Sequence, residues 1–200
     1  GIDPLEFRTK NGVKEGSRRI PGPVLQKVGY METLSAAMDT DHYKSPLEGP
    51  NRGRGVAAGF WFNGTGPAAS FASVNADGTV SLTEGSPDIG GGRASMSMQL
   101  AEVLGIPAED VHPSVPDTDS IGFTGVTGGS RTTYTTGLAA YNAAQKLVDE
   151  LKERVANLWE TKANKVDFMD GTFSSSGQSI GIQELAGKLD PTGGPVTTTA

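Results

Sequence analysis

Apolar positions recur along this chain with two different spacings, and each change of spacing marks an element boundary. Between Ser130 and Glu160 the spacing is three and four: Tyr134, Leu138, Tyr141, Ala144, Val148, Leu151, Val155 and Leu158. That spacing predicts one long amphipathic helix with this stripe turned inward and Ser130 as its N-cap. Gly137 and alanines 139, 140, 143 and 144 keep its first half slim, suited to close packing. A second helix is expected over about 93–104, because Ala94, Met98 and Ala101 share a face and Gly105-Ile106-Pro107 stops it. A third is expected from Pro23 to about Asp39, with Leu25, Val28, Met31 and Met38 as its stripe. A short helix end at the start of the chain and another over Ile182 to Leu189 complete the helical set.

The alternating stretches predict strands. Val56, Ala58, Phe60 and Phe62 would share one face of a strand over 54–62. Ala69 to Val74 and Thr79 to Thr83 read as two more, joined by the turn Asn75-Ala76-Asp77-Gly78. These three are expected to form an antiparallel sheet. Val111 to Val115 is a further short strand, placed at an edge by Pro113. Val166 to Phe173 reads as a hairpin about Asp170-Gly171, and the last residues as the start of a strand. The fold class that follows is α+β: a mainly antiparallel sheet with helices packed on it.

Composition narrows the chemistry. The 200 residues carry a net charge of -6 with no basic block, which argues against nucleic acid as a partner. There is no cysteine, so disulfides, thiolate zinc sites and cysteine-held iron–sulfur clusters are excluded within the chain, and a cytoplasmic setting is expected. Two histidines are too few for a convincing metal centre. No apolar run is long enough to span a membrane. The 28 glycines are many, and glycine brings backbone close to ligands or turns it sharply.

Two of those glycine clusters run into expected helix starts. The first is Gly90-Gly91-Gly92; the second is Gly128-Gly129-Ser130-Arg131-Thr132. Backbone N–H groups and the helix dipole at such starts favour an anion, and glycines let it approach. Ser130 and Thr132 add hydroxyls, and Arg131 a planar guanidinium that suits phosphate. Two such sites point to a ligand with several anionic or polar positions, such as a phosphorylated cofactor. The same glycines serve equally as plain turn and cap residues. No P-loop is present. Asp110 lies 20 residues after Gly90, but the G-x-G-x-x-G of a dinucleotide fold is missing.

In order, GIDPLEFRTKNG (1–12), GRGVAAGFWFNG (53–64), VNADGTVSLTEGSPDIGGG (74–92), QLAEVLGIPAEDV (99–111) and DTDSIGFTGVTGGSRTTYTTGLAAYNAA (117–144) resemble the large, cofactor-binding subunits of molybdenum hydroxylases. That family includes xanthine dehydrogenases, aldehyde oxidoreductases and carbon monoxide dehydrogenases. The resemblance implies a molybdopterin cofactor with molybdenum, in the cytosine dinucleotide form, contacted by Gly90 to Gly92 and Gly128 to Thr132. It implies iron–sulfur and FAD subunits or domains as partners, a small-molecule substrate, a homo-oligomer, and hydroxylation of aldehydes or N-heterocycles with oxygen from water.

One departure stands inside the motif. The family pattern D-x-G-Q-G has Gly91 where glutamine is usual. The family's catalytic glutamate, in G-V-G-E, corresponds to a point beyond Ala200, and an earlier cofactor loop to one before Gly1. The chain is therefore expected to be an internal, catalytically silent piece with no catalytic residue of its own. In this reading, residues 1–52 are a helical linker segment continuing from an absent first cofactor-binding part, and 53–200 part of the second. The alternative is a self-contained nucleotide- or phosphate-binding module, or a domain kept for subunit assembly.

Overall fold

The computed structural model describes residues 1–20, 22–61, 63–114 and 116–200. They form two compact units, Gly1–Phe60 and Trp61–Ala200.

The first unit holds helices α1 (Pro4–Asn11), α2 (Tyr30–Met38) and α3 (Asp41–Lys44). Asp3 caps α1, its Oδ1 accepting from the N–H groups of Leu5 and Glu6, and Pro4 occupies the first turn, where no N–H is needed. The helix expected from Pro23 is shorter than its apolar stripe. Leu25 instead joins a small ladder, its N–H donating to Ser17 O and its carbonyl accepting from Gly16 N. Helical geometry begins only after Gly29. Residues 54–61 form no strand, and Phe60 is 81% exposed. Alternation supplies two faces, but no neighbouring strand supplies a ladder, and Gly53, Gly55 and Gly59 weaken any extended segment. Phe62, in the same expected strand, lies outside the described residues, as does Val115.

The second unit is built on a four-stranded sheet in the order β3-β2-β1-β7. Strands β1 (Ser70–Val74) and β2 (Val80–Glu84) form the expected hairpin, with Ser70 opposite Glu84 and Val74 opposite Val80. Their alternate residues Ser70, Ala72, Val74, Val80, Leu82 and Glu84 are buried on one face. Helix α4 (Gly92–Leu104) then carries the chain back over that face to β3 (Val111–Ser114), which pairs parallel to β2. This corrects the expectation of a mainly antiparallel sheet: a strand, a crossover helix and a strand return the chain in the same direction. Strand β7 (Thr197–Thr199) pairs antiparallel with β1 on the other side.

Helix α5 (Thr132–Leu158) runs 27 residues, about 40 Å at 1.5 Å per residue. It packs beside α4 in the same core, where Met96, Leu100 and Leu104 meet Ala140, Ala143, Ala144, Leu147 and Leu151. In its first half the buried stripe differs from the expected one. Thr136, Gly137, Ala139, Ala140 and Ala143 face inward, while Tyr134, Leu138 and Tyr141 are 63%, 46% and 44% exposed. The slim residues are those that let α5 approach α4: a Cβ on Gly137 would stand 1.9 Å from the Gln99 side chain. A second sheet, entirely antiparallel, joins β4 (Asp167–Met169), β5 (Thr172–Ser175) and β6 (Gln178–Gly181), followed by α6 (Ile182–Ala186). Among the described residues no helix is long and apolar enough to cross a membrane.

Candidate functional site

The two glycine-rich helix starts lie on the same face of the mixed sheet, and side chains join them. Gln99, two turns into α4, donates from Nε2 to the carbonyl of Thr133 in the first turn of α5 at 3.3 Å. The hydroxyls of Ser86, in the β2–α4 loop, and Thr136 hydrogen-bond at 2.7 Å in the buried interior.

At the start of α4 the chain closes on itself. Asp88 Oδ1 accepts from Gly90 N at 2.9 Å and Gly92 N at 3.1 Å. Those backbone bonds, with help from Arg93, hold the Asp88 carboxyl below the usual carboxylate range. The donors expected to await an external anion are thus partly occupied by an internal one. Gly90 and Gly91 stand at φ of 104° and 84°, and a Cβ on either would meet no atom within 4 Å. The turn presents bare backbone outward.

The start of α5 is arranged differently. Ser130 is not the N-cap: it sits at φ 55°, Arg131 takes the cap position, and no side chain caps the helix. Arg131 is only 5% exposed. Its Nη2 donates to Pro67 O at 2.6 Å, its Nη1 to Val126 O at 3.0 Å and its Nε to Thr135 Oγ1 at 3.2 Å. Cβ atoms on Gly66 and Gly125 would stand 3.3 Å and 2.6 Å from this guanidinium, so two chain segments close around it as bare backbone. Arg131 therefore ties together the loops on either side of the helix start. Gly64 N donates to Gly129 O at 2.6 Å in the same knot. Thr132 is buried, whereas Ser130 lines an open groove of about 500 Å³ with Gln99, Thr133, Tyr134, Leu138 and Tyr141. Gly128 is exposed, with open space where a Cβ would be. Thr127 Oγ1 is buried without a partner.

Near the α4 turn the core includes buried polar residues. Glu84 is 1% exposed, and its Oε2 has no hydrogen-bond partner. Burial pushes its carboxyl up to about 7, with Arg93 pulling it down and Asp88 adding to the rise. Ser70, opposite Glu84 in the hairpin, and Ser97 in α4 are also buried with unpartnered hydroxyls. Sequence reading missed these buried polar residues. A clue was available: Ser70 and Glu84 occupy positions that the strand alternation assigns to the apolar face.

Other chemistry is not assembled. Among the described residues no group of three or more His, Cys, Asp or Glu side chains could hold a metal ion. Asp117 uses its Oδ1 to accept from Asp119 N. Gly177 to Gly181 spell G-Q-S-I-G, but Ser179 lies within β6 opposite Ser174 rather than on a strand-to-helix turn, so no nucleophile elbow forms.

A family model described as the molybdopterin cofactor-binding domain matches residues 25–200. The chain belongs to that family. It is 29% identical over 186 residues to the putative xanthine dehydrogenase molybdenum-binding subunit XdhA of Escherichia coli K12, covering 86% of this chain and 25% of the relative. It is 28% identical over 193 residues to the aldehyde oxidoreductase molybdenum-binding subunit PaoC of the same strain, covering 92% and 26%. The molybdopterin cofactor-binding chain thus spans about a quarter of the length of these relatives. Among solved structures, a Cu,Mo-CO dehydrogenase matches all of this chain and 30% of its own, with a TM-score of 0.71 at 20% identity. The aldehyde oxidoreductase from Desulfovibrio desulfuricans matches all of it and 21% of its own, at 0.65 and 22%. These two likenesses establish the fold. The alternative of a stand-alone nucleotide module or an assembly-only domain finds no support in the comparisons.

Proposed function

We propose that the two glycine turns, Gly90 to Gly92 and Gly128 to Thr132, hold the molybdopterin cofactor, in its cytosine dinucleotide form, inside a larger molybdenum hydroxylase. The observation that carries this reading is the open backbone at Gly90, Gly91 and Gly128, where a Cβ would meet nothing within 4 Å, at the starts of two adjacent helices. The unpartnered Thr127 hydroxyl beside Gly128 fits a polar group supplied from outside the chain. The residues present therefore fit the group.

The roles within the site divide. The uncapped start of α5, with Gly128 and Ser130, takes the anionic portion, because its N–H groups meet no side-chain acceptor at the cap. The α4 turn, closed by Asp88, offers a flat backbone surface for the cofactor to lie against. Arg131 positions the second turn from behind, through Pro67 and Val126, rather than reaching the ligand with those donors. Gly91 brings no side chain where glutamine is usual in the family, so the contact of that amide is absent.

When bound, the cofactor supplies two-electron oxidation with oxygen from water, acting on an aldehyde, an N-heterocycle or a related small molecule. No residue of this chain is assigned as the base of that reaction, and iron–sulfur and FAD partners would take up the electrons. The chain's own work is to bind and orient.

Gly128 gives the cleanest test. Its φ lies outside the left-handed region and no neighbour crowds it. Gly128→Val is expected to fold normally and to lower molybdenum and released nucleotide per protein by at least tenfold under limiting cofactor, the effect of about 1.4 kcal/mol. Normal occupancy in a well-folded variant would make the second turn a simple helix start.

A further inference from the structure

Among the described residues Glu84 is the one buried carboxylate, and the reading above gives it no task. It lies at the end of β2, two residues before Ser86, whose hydroxyl bonds Thr136 in the second turn of α5. Across the strand pair is Ser70, and on α4 are Ser97 and Arg93. The Glu84 Oε2, Ser70 Oγ and Ser97 Oγ are all buried without partners. The charged groups acting on it are Arg93 from α4 and Asp88 from the β2–α4 loop; β1 places the Ser70 hydroxyl opposite it, and α5 reaches Ser86 through Thr136. A carboxylate in such a place is poorly compensated, because the charged form has lost water and gained no direct donor. It lies close to the α4 turn, whose Asp88 and Arg93 act on its charge, and Ser86 two residues on bonds Thr136 of α5.

We propose that Glu84 takes up a proton when an anion occupies the glycine turns, so that ligand binding and proton binding are linked through this one buried carboxyl. The inference rests on the reading of the turns as the cofactor site. The physics is simple. A new negative charge near a low-dielectric interior disfavours a second one inside it. It also draws on Arg93, the cation that now supports ionised Glu84. Both effects favour the neutral acid. Neutral Glu84 gains an O–H donor, which the orphan Ser70 hydroxyl opposite it in the strand pair can accept through a water or a small side-chain adjustment. The uptake cannot exceed the ionised fraction in the free protein, so at pH 7 it is at most about half a proton per site. The fully buried position also confines the response: the proton enters beneath the site, not on the ligand.

The experiment is calorimetric titration of the full natural chain, prepared without cofactor, with inorganic sulfate, a dianion that does not titrate near neutral pH. Measured at pH 7 in two buffers of different ionisation enthalpy, the heats should differ by the uptake of a few tenths of a proton. Glu84→Gln should bind sulfate with no difference between buffers. His112→Asn, on the exposed side of β3, should keep the wild-type difference. Carboxyl carbon NMR of the wild type gives the same answer without a variant: the Glu84 titration midpoint should move upward in sulfate. Sulfate binding with equal heats in both buffers, or uptake that persists in Glu84→Gln, overturns the linkage and leaves the cofactor site standing. Absence of sulfate binding overturns the anion site and the linkage with it.

Discussion

The two glycine turns have similar sequences and are held in place by opposite charges. At α4 a surface carboxylate, Asp88, folds over the turn and satisfies its N–H groups from outside. At α5 a buried guanidinium, Arg131, grips loop carbonyls from inside and leaves the helix start uncapped. The first turn is therefore finished as a surface, and the second is braced and left open. Glycine clusters alone do not say which of these a helix start will be. The charged residue nearest to each, and the side from which it arrives, decides.

Removing the brace should cost most. Arg131→Ala strands the carbonyls of Pro67 and Val126 and empties a buried volume, for a loss of about 3 kcal/mol in unfolding free energy. Thermal and denaturant melts measure this. Cofactor occupancy should fall with it, and Arg131→Lys should recover only part of both, since an ammonium cannot reach two carbonyls in the fixed geometry of the fork. An Arg131→Ala protein as stable as wild type would erase the contrast between the two turns.

The buried Glu84 should show its charge as pH dependence. Glu84 binds its proton more tightly when folded, so its stabilising contribution is complete below pH 4.5 and is lost as pH rises through about 7. Glu84→Gln should accordingly match the wild type near pH 4.5 and exceed it at pH 8 by on the order of 2 kcal/mol. Equal differences at the two pH values would mean that the carboxyl ionises as readily in the fold as in the unfolded chain.

Opening the finished turn should cost less than removing the brace. Asp88→Ala frees two N–H groups at the start of α4 and should lower stability by less than Arg131→Ala does, as the loss of an exposed cap would. Since Asp88 stays ionised to lower pH than an ordinary carboxylate, this deficit is present at neutral pH and fades on acidification. Smallest is Gly91→Gln, which restores the family residue. The Cβ meets open space, but φ is 84°, so the left-handed backbone alone should cost about 1 kcal/mol. A much larger loss would mean that the turn is not the open surface described.

What the sequence disclosed, and what it hid, follows from range. The hairpin of Ser70–Val74 and Val80–Glu84 was legible because alternation and the Asn75–Gly78 turn are local. Helix α4 was legible from its glycine boundaries. The parallel pairing of β3 required recognising that a strand, a helix and a strand in succession make a crossover. In α5 the three-four spacing was correct for a helix, yet Tyr134, Leu138 and Tyr141 stay exposed because the approach of α4 favours small residues. The candidate site residues were located by their glycines. The direction of Arg131 was hidden, since its partner Pro67 lies 64 residues away and nothing local announces it.

The pairing of β7 with β1 also sets a schedule. Thr197 meets Ser73 across 124 residues of chain. At a synthesis rate of about 5–20 residues per second, β1 emerges from a ribosome roughly 6 to 25 s before its outer neighbour exists. During that interval the hairpin and the β3 crossover can form, but one edge of the nascent sheet stays unzipped, with its N–H and C=O groups free to join a foreign strand. The alternate side chains along that edge are Ser73 and Phe71, neither a charged gatekeeper. Slowing translation between residues 74 and 197 should therefore increase misassembly in the cell, and an accelerated passage through the same stretch should raise the yield of folded protein.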